Sequence, residues 1–152
     1  KDALVILANP VKPFTDNEIN TVERFLENGG KMLLLDGPQN RRSTSNMLLE
    51  RFSMKINFNE LKNTTLFNNS GTAVGPAVKS GTVKGGKAFL KTEKGLPVFS
   101  VIQKGKGLFG VMADSYIFTN PQMGGTQITP SKNRLSIYEL EYFLIKKLEK
   151  EP

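Results

Sequence analysis

Four residues at the ends of predicted strands carry the side chains best placed for chemistry: Asn9, Asp36, Asp114 and Asn120. In an α/β sheet ligands bind beyond the carboxyl ends of the strands, so these four would converge on one rim. There Asp36 and Asp114 could coordinate a hard cation, act as acid and base, or orient a polar ligand. The commoner role of Asp and Asn at such positions is to hold loops through side-chain bonds to the backbone. The chain has no Cys and no His. That removes nucleophiles activated by His, thiolate zinc sites and imidazole metal ligands, while carboxylate or lysine chemistry remains open.

Two glycine motifs would normally point to phosphate. Residues 81–87 have the spacing of a P-loop, but Ala88 stands where Ser or Thr should reach magnesium, and the segment lies between a polar stretch and a β-like run. Gly105-Lys106-Gly107-Leu108-Phe109-Gly110 has the dinucleotide spacing, yet its glycines lead into a strand pattern where a helix should open. A basic hairpin turn is the better reading, and no cofactor is predicted. Asn63-Thr64-Thr65 and Asn68-Asn69-Ser70 are glycosylation triplets of the sort that an Asn- and Thr-rich segment produces by chance.

The 21 Lys and Arg against 14 Asp and Glu give a net charge of +7. Lys79, Lys84, Lys87, Lys91, Lys94, Lys104 and Lys106 supply much of it, opposed in that stretch by Glu93 alone. Such a run is either a docking face for an anionic surface or a set of solvated edge strands that use Lys against aggregation. Only Phe89 and Phe99 interleave it, which disfavours a nucleic-acid partner.

The elements that must position these groups form one predicted domain over residues 1–152. Residues 3–8 are an all-apolar run suited to a strand covered on both faces. Thr15 and Glu18 have capping-box spacing before a helix over 16–27, which leaves through Asn28-Gly29-Gly30. A second buried strand is predicted over 31–36, completing a β-α-β unit with a right-handed crossover. A helix is expected over 45–52, loops and short strands over 57–87, and a hairpin turning at 104–107 into a strand over 108–113. A loop over 122–130 leads to a last helix, with Ser136 and Glu139 spaced as a capping box and Ile137, Leu140, Leu144 and Leu148 as its inner stripe.

Taken in order, Asp2-Ala3-Leu4-Val5-Ile6, the turn over 13–18, the run over 25–35, Gly105-Lys106-Gly107, Ala113-Asp114-Ser115 and Phe118-Thr119-Asn120 resemble the class I glutamine-amidotransferase-like domains. The likeness is to the prokaryotic membrane-anchored type, akin to auxiliary subunits of gliding-type ABC transporters. It implies a flavodoxin-like three-layer sandwich with a mostly parallel central sheet and an additional β-hairpin region. It further implies a location on the extracytoplasmic face of a membrane, anchored through segments outside this chain. The catalytic Cys and His of true amidotransferases are missing, so no catalytic position carries over. Ala113 stands where relatives often have Gly, and such domains generally begin with a strand and helix before Ala3, so the chain reads as an excised piece of a longer one.

The expected function is therefore a non-catalytic binding or protein-interaction module of an envelope-associated protein, such as a transport-system accessory. Its partner would be a protein or a polar ligand. The alternatives are a His-free metal-assisted hydrolase using Asp36 and Asp114, and a docking module for anionic polymer through the lysines.

Overall fold

Thr15 caps the first helix as its spacing predicts: its Oγ1 accepts from the Glu18 N–H, and the Glu18 carboxylate accepts from the Thr15 N–H at 2.7 Å. The computed structural model describes residues 3–124 and 129–149. Around that helix, α1 (Asp16–Glu27), lie β1 (Leu4–Ala8) and β2 (Lys31–Leu35). Then come α2 (Ser45–Leu49), a 3-10 turn at Glu50–Phe52, and β3 (Lys55–Asn57), β4 (Thr64–Phe67), β5 (Ala73–Ala77) and β6 (Thr82–Lys84). The chain continues through β7 (Lys87–Thr92), β8 (Pro97–Lys104), β9 (Gly107–Met112), a 3-10 turn at Ser115–Phe118, α3 (Asn120–Met123) and α4 (Lys132–Glu149).

Seven strands form one sheet in the order β1-β2-β9-β8-β7-β4-β5, and β3 pairs with β6 separately. In the large sheet β1·β2 and β2·β9 are parallel, whereas β8·β9, β7·β8, β4·β7 and β4·β5 are antiparallel. The mostly parallel, flavodoxin-like sheet expected above is thus corrected to a mixed, mainly antiparallel one. The β-α-β pattern spans only the first two strands. Beyond them, β4–β5, β7–β8 and β8–β9 are joined by tight turns through residues 68–72, Gly95 and Gly105, a connection open only to antiparallel neighbours. Among the described residues no helix is long and apolar enough to cross a membrane, and the membrane association implied by the resemblance finds no support in them.

Successive side chains of β2 and β9 enter opposite hydrophobic clusters. Leu33, Leu35, Leu108 and Met112 meet Ile137, Leu140, Leu144 and Leu148 of α4. On the other face Met32, Leu34, Phe109 and Val111 meet Ile19 and Leu26 of α1, Leu48 and Leu49 of α2, and Ile56 and Val83 of the small sheet.

Strand β1 departs from its predicted burial. It is an edge strand, with Val5 44% and Ile6 50% exposed. An apolar run reports affinity for a sheet but not whether an element lies over it. The last helix also begins earlier than predicted. Ser131 supplies its first turn, accepting from the Arg134 N–H through Oγ, while the Ser136 hydroxyl donates back to the Lys132 carbonyl inside the helix. The predicted loop over 122–130 lies partly, and Lys150 wholly, outside the described residues.

Candidate functional site

The ends of β1, β2 and β9 meet in a chain of polar contacts. Asn9 takes a left-handed backbone, φ 47°, which Asn tolerates better than most residues, and its N–H donates to the Leu35 carbonyl. Its Oδ1 accepts from the Ser115 hydroxyl at 2.7 Å, and Gln39 Nε2 donates to that same hydroxyl at 2.8 Å. The Ser115 N–H in turn donates to the Asp36 carbonyl.

Asp36 is fully buried. Its Oδ1 accepts from the Gly37 N–H at 2.8 Å, and its Oδ2 from the hydroxyls of Ser43 at 2.6 Å and Ser45 at 2.5 Å. The carboxylate thus pins the loop after β2 to the start of α2, and both its oxygens are engaged. A buried charge held by several donors is the arrangement that makes burial tolerable.

Asp114, also fully buried, faces the other way. Its Oδ2 accepts from the N–H groups of Val78 at 2.6 Å and Lys79 at 3.1 Å, while Oδ1 has no partner among the described residues. Burial pushes its pKa from 3.8 up to about 6 against the opposing pull of the Val78, Lys79 and Tyr116 N–H groups, and Glu60 adds a smaller upward push. Asn120 stands apart, exposed at the start of α3. The rim therefore joins Asn9 and Asp36 through Ser115, puts the Asp114 side chain behind it, and leaves Asn120 outside.

Because the folded-state pKa of Asp114 lies above its unfolded value, the native state favours the neutral carboxyl. Its contribution to stability is fully present below about pH 4, declines as the pH rises through about 6, and is flat above. Asp114→Asn retains an acceptor for Val78 and Lys79 but cannot ionise. Denaturant midpoints measured from pH 4 to pH 8 should show this fall in the native chain, worth up to about 3 kcal/mol, and a flatter profile in the variant.

The lysines do not assemble into one face. Lys104 is engaged by Glu23 at 2.8 Å and Glu27 at 3.5 Å, and its pKa is raised chiefly by the hydrogen bond to Glu23. Lys79 lies over the Tyr116 ring beyond the end of β9, whereas Lys104 and Lys106 flank its start, about 20 Å away at strand rise. Lys87 lies over Phe89, Lys84 is exposed on β6, and Lys91 and Lys94 occupy the far part of the β7–β8 hairpin. Among the described residues no three acidic side chains stand where they could hold a metal ion.

Sequence reading located the strand-end acids but missed Ser43, Ser45, Gln39 and Ser115, which complete the network; scattered hydroxyls in a loop give no periodic signal. It also missed Glu141. Four residues after Ile137 and four before Ile145, this carboxyl sits on the inner flank of α4, a position that helical spacing does reveal. Burial pushes its pKa to about 7, and Oε1 has no partner among the described residues.

No family model matches the chain, and no curated protein matches it. Solved structures do. The N-terminal domain of mmIFT52 is similar over 98% of this chain and 79% of that one, with 18% identity and a TM-score of 0.66. The exo-β-1,4-mannosidase Op5Man5 from Opitutaceae bacterium strain TAV5 is similar over 97% of this chain, with 12% identity and a TM-score of 0.59. The GH42 β-galactosidase Gan42B from G. stearothermophilus, as a catalytic mutant, is similar over 98%, with 14% identity and a TM-score of 0.58. This chain spans 26% of the mannosidase and 22% of the galactosidase. At these identities the likeness is one of fold.

Proposed function

We propose that the chain is a non-catalytic protein-interaction module. The observation that carries this reading is the state of the strand-end rim: Asp36 has both oxygens engaged by Gly37, Ser43 and Ser45, and Asn9 is bonded to Ser115. Acid–base or metal-assisted chemistry needs a carboxylate that can reach a substrate or ion, and Asp36 is spent on holding its own loop. Asp114 is turned behind the rim toward the backbone of residues 78 and 79.

Two measurements test the reading. Selection of random displayed peptides of about twelve residues against the folded chain should enrich sequences that bind it reversibly, as expected of a protein-binding surface. Thermal unfolding with magnesium, calcium, manganese or zinc chloride should show no stabilisation that depends on the two acids. Stabilisation by one of these ions that disappears in an Asp36→Asn, Asp114→Asn double variant would overturn the reading in favour of a metal-assisted enzyme.

A further inference from the structure

The two edges of the large sheet are treated differently. At one, β5 contains Pro76 and carries the extra residue of a bulge, Val74, opposite Leu66 and Phe67 of β4, and α4 crosses so closely that a Cβ on Gly75 would crowd the Ser136 carbonyl and the Leu140 side chain. Proline, bulges and covering helices are the usual guards against unwanted strand pairing. At the other edge, Leu4-Val5-Ile6-Leu7-Ala8 has no charge, no proline and no bulge, and it pairs only with β2 among the described residues.

The backbone of β1 is set for a further strand. In a parallel pair, successive residues turn their N–H and C=O groups to alternate edges. The Asn9 N–H donates to the Leu35 carbonyl, so Val5 and Leu7 face β2 in the same way, and Leu4, Ile6 and Ala8 present theirs outward. Side chains line both sides of the opening. Leu4 packs with the cluster under α4 and Leu7 with the cluster under α1, which places exposed Ile6 on the α4 side and exposed Val5 on the α1 side.

Glu141 lies on the flank of α4 that is turned toward this edge. One flank of α4 faces β7 and β5, where Lys147 lies over Phe89 and Leu140 lies over Gly75. The opposite flank faces β1, across a cleft of about 300 Å³ lined by Leu4, Lys31, Ile145, Leu148 and Glu149. Glu141 is one helical turn before Ile145 on that flank, about 6 Å further along the helix axis. Ile6 lies a similar distance beyond Leu4, two strand residues on. A half-buried carboxyl with an unpartnered oxygen therefore lies on the helix flank turned toward the unpaired edge.

We propose that the open edge of β1 is a strand-addition site for an extended segment of a partner protein, apolar at alternate positions and carrying a Lys or Arg directed at Glu141. A second copy of the chain fits less well. Two β1 strands paired antiparallel about a two-fold axis normal to the sheet would put both α4 helices on one face, so that each Glu141 met another carboxyl and no donor. A basic side chain on an incoming strand supplies the missing partner, while the outward N–H and C=O groups supply the ladder.

This inference rests on the protein-interaction reading and is tested with the peptides enriched from the display library. They should alternate apolar residues and include Lys or Arg. On binding they should slow amide exchange at Leu4, Ile6 and Ala8. Ile6→Pro removes an outward N–H while leaving the inward ladder of Val5 and Leu7 intact, and it should weaken binding about tenfold or more. Glu141→Gln should erase the preference for Lys or Arg. Peptides that bind without protecting those three amides would overturn the edge site while leaving the interaction reading standing; failure to enrich any peptide would remove both. Protection of the three amides without peptide, whether from a second copy or from a strand of the same molecule, would also overturn the proposal. Because the exchange measurement uses the unaltered chain, the outcome does not depend on Ile6→Pro folding.

Discussion

Asp36→Ala is expected to lower the unfolding free energy by about 3–5 kcal/mol, a large fraction of the stability of a domain this size. The variant removes a fully buried acceptor that serves the Gly37 N–H and the hydroxyls of Ser43 and Ser45, leaving three donors without that partner, those of Gly37 and Ser45 away from water. Each orphaned donor costs roughly 1–3 kcal/mol, and a truncated side chain also leaves a void beside the start of α2. Asp36→Asn should cost less, because one acceptor oxygen remains. Ser43→Ala and Ser45→Ala should each cost about 1–2 kcal/mol, and the pair should be non-additive because both hydroxyls share one carboxylate oxygen. Urea unfolding of the native chain, the four single variants and the Ser43→Ala, Ser45→Ala double variant checks all of this. If Asp36→Ala unfolds with the native midpoint, the carboxylate is not a structural pin, and a ligand-facing role for Asp36 returns.

The parts of the fold legible in the sequence are those whose signals are local. The Thr15 and Glu18 box, the apolar stripe of the last helix and the β1-α1-β2 crossover were each readable because a cap, a 3.6-residue period and a pair of apolar runs depend on neighbours in sequence. The segment over 57–87 was legible as loops and short strands but not in where those strands lie or what they pair with. Strands such as Thr64–Phe67 and Ala73–Ala77 are short, without a clear alternation and, in the second, interrupted by Gly75 and Pro76, and they are strands because β7 and α4 lie beside them. Sheet order was equally hidden, since β9 takes its place next to β2 although more than seventy residues separate them in the chain. That insertion leaves β1 at the edge, and it explains why an all-apolar run is half exposed. At the rim, the acids were legible as strand terminators, but the donors that occupy Asp36 were not, because a loop serine has no pattern that ties it to a distant carboxylate.

Gly107→Ala should be the other severe substitution, costing about 3 kcal/mol or more, beyond the usual range for overpacking. A Cβ at this position would fall on the carbonyl oxygens of Leu26 and Gly30, both backbone atoms, with the Leu26 Cα 2.8 Å away. Neither carbonyl can swing aside as a side chain could. The Leu26 carbonyl accepts from the Gly29 N–H in the exit of α1, and the Gly30 carbonyl accepts from Leu108 at the start of β9. Relief of the clash would pull α1 away from the sheet and strip cover from Leu26, which is fully buried. Gly95→Ala is the control for backbone strain without a clash: its φ of +78°, unlike the backbone of Gly107, disfavours a side chain, but nothing lies within 4 Å of its Cβ, so only about 1 kcal/mol of strain is expected. The comparison also decides what the Gly105-Lys106-Gly107 run is for. If the glycines served a phosphate, Gly107→Ala would fold like Gly95→Ala and lose a ligand; if they exist so that the exit of α1 can lie against the β8–β9 turn, the two variants should differ by about 2 kcal/mol or more in chemical denaturation with no ligand present.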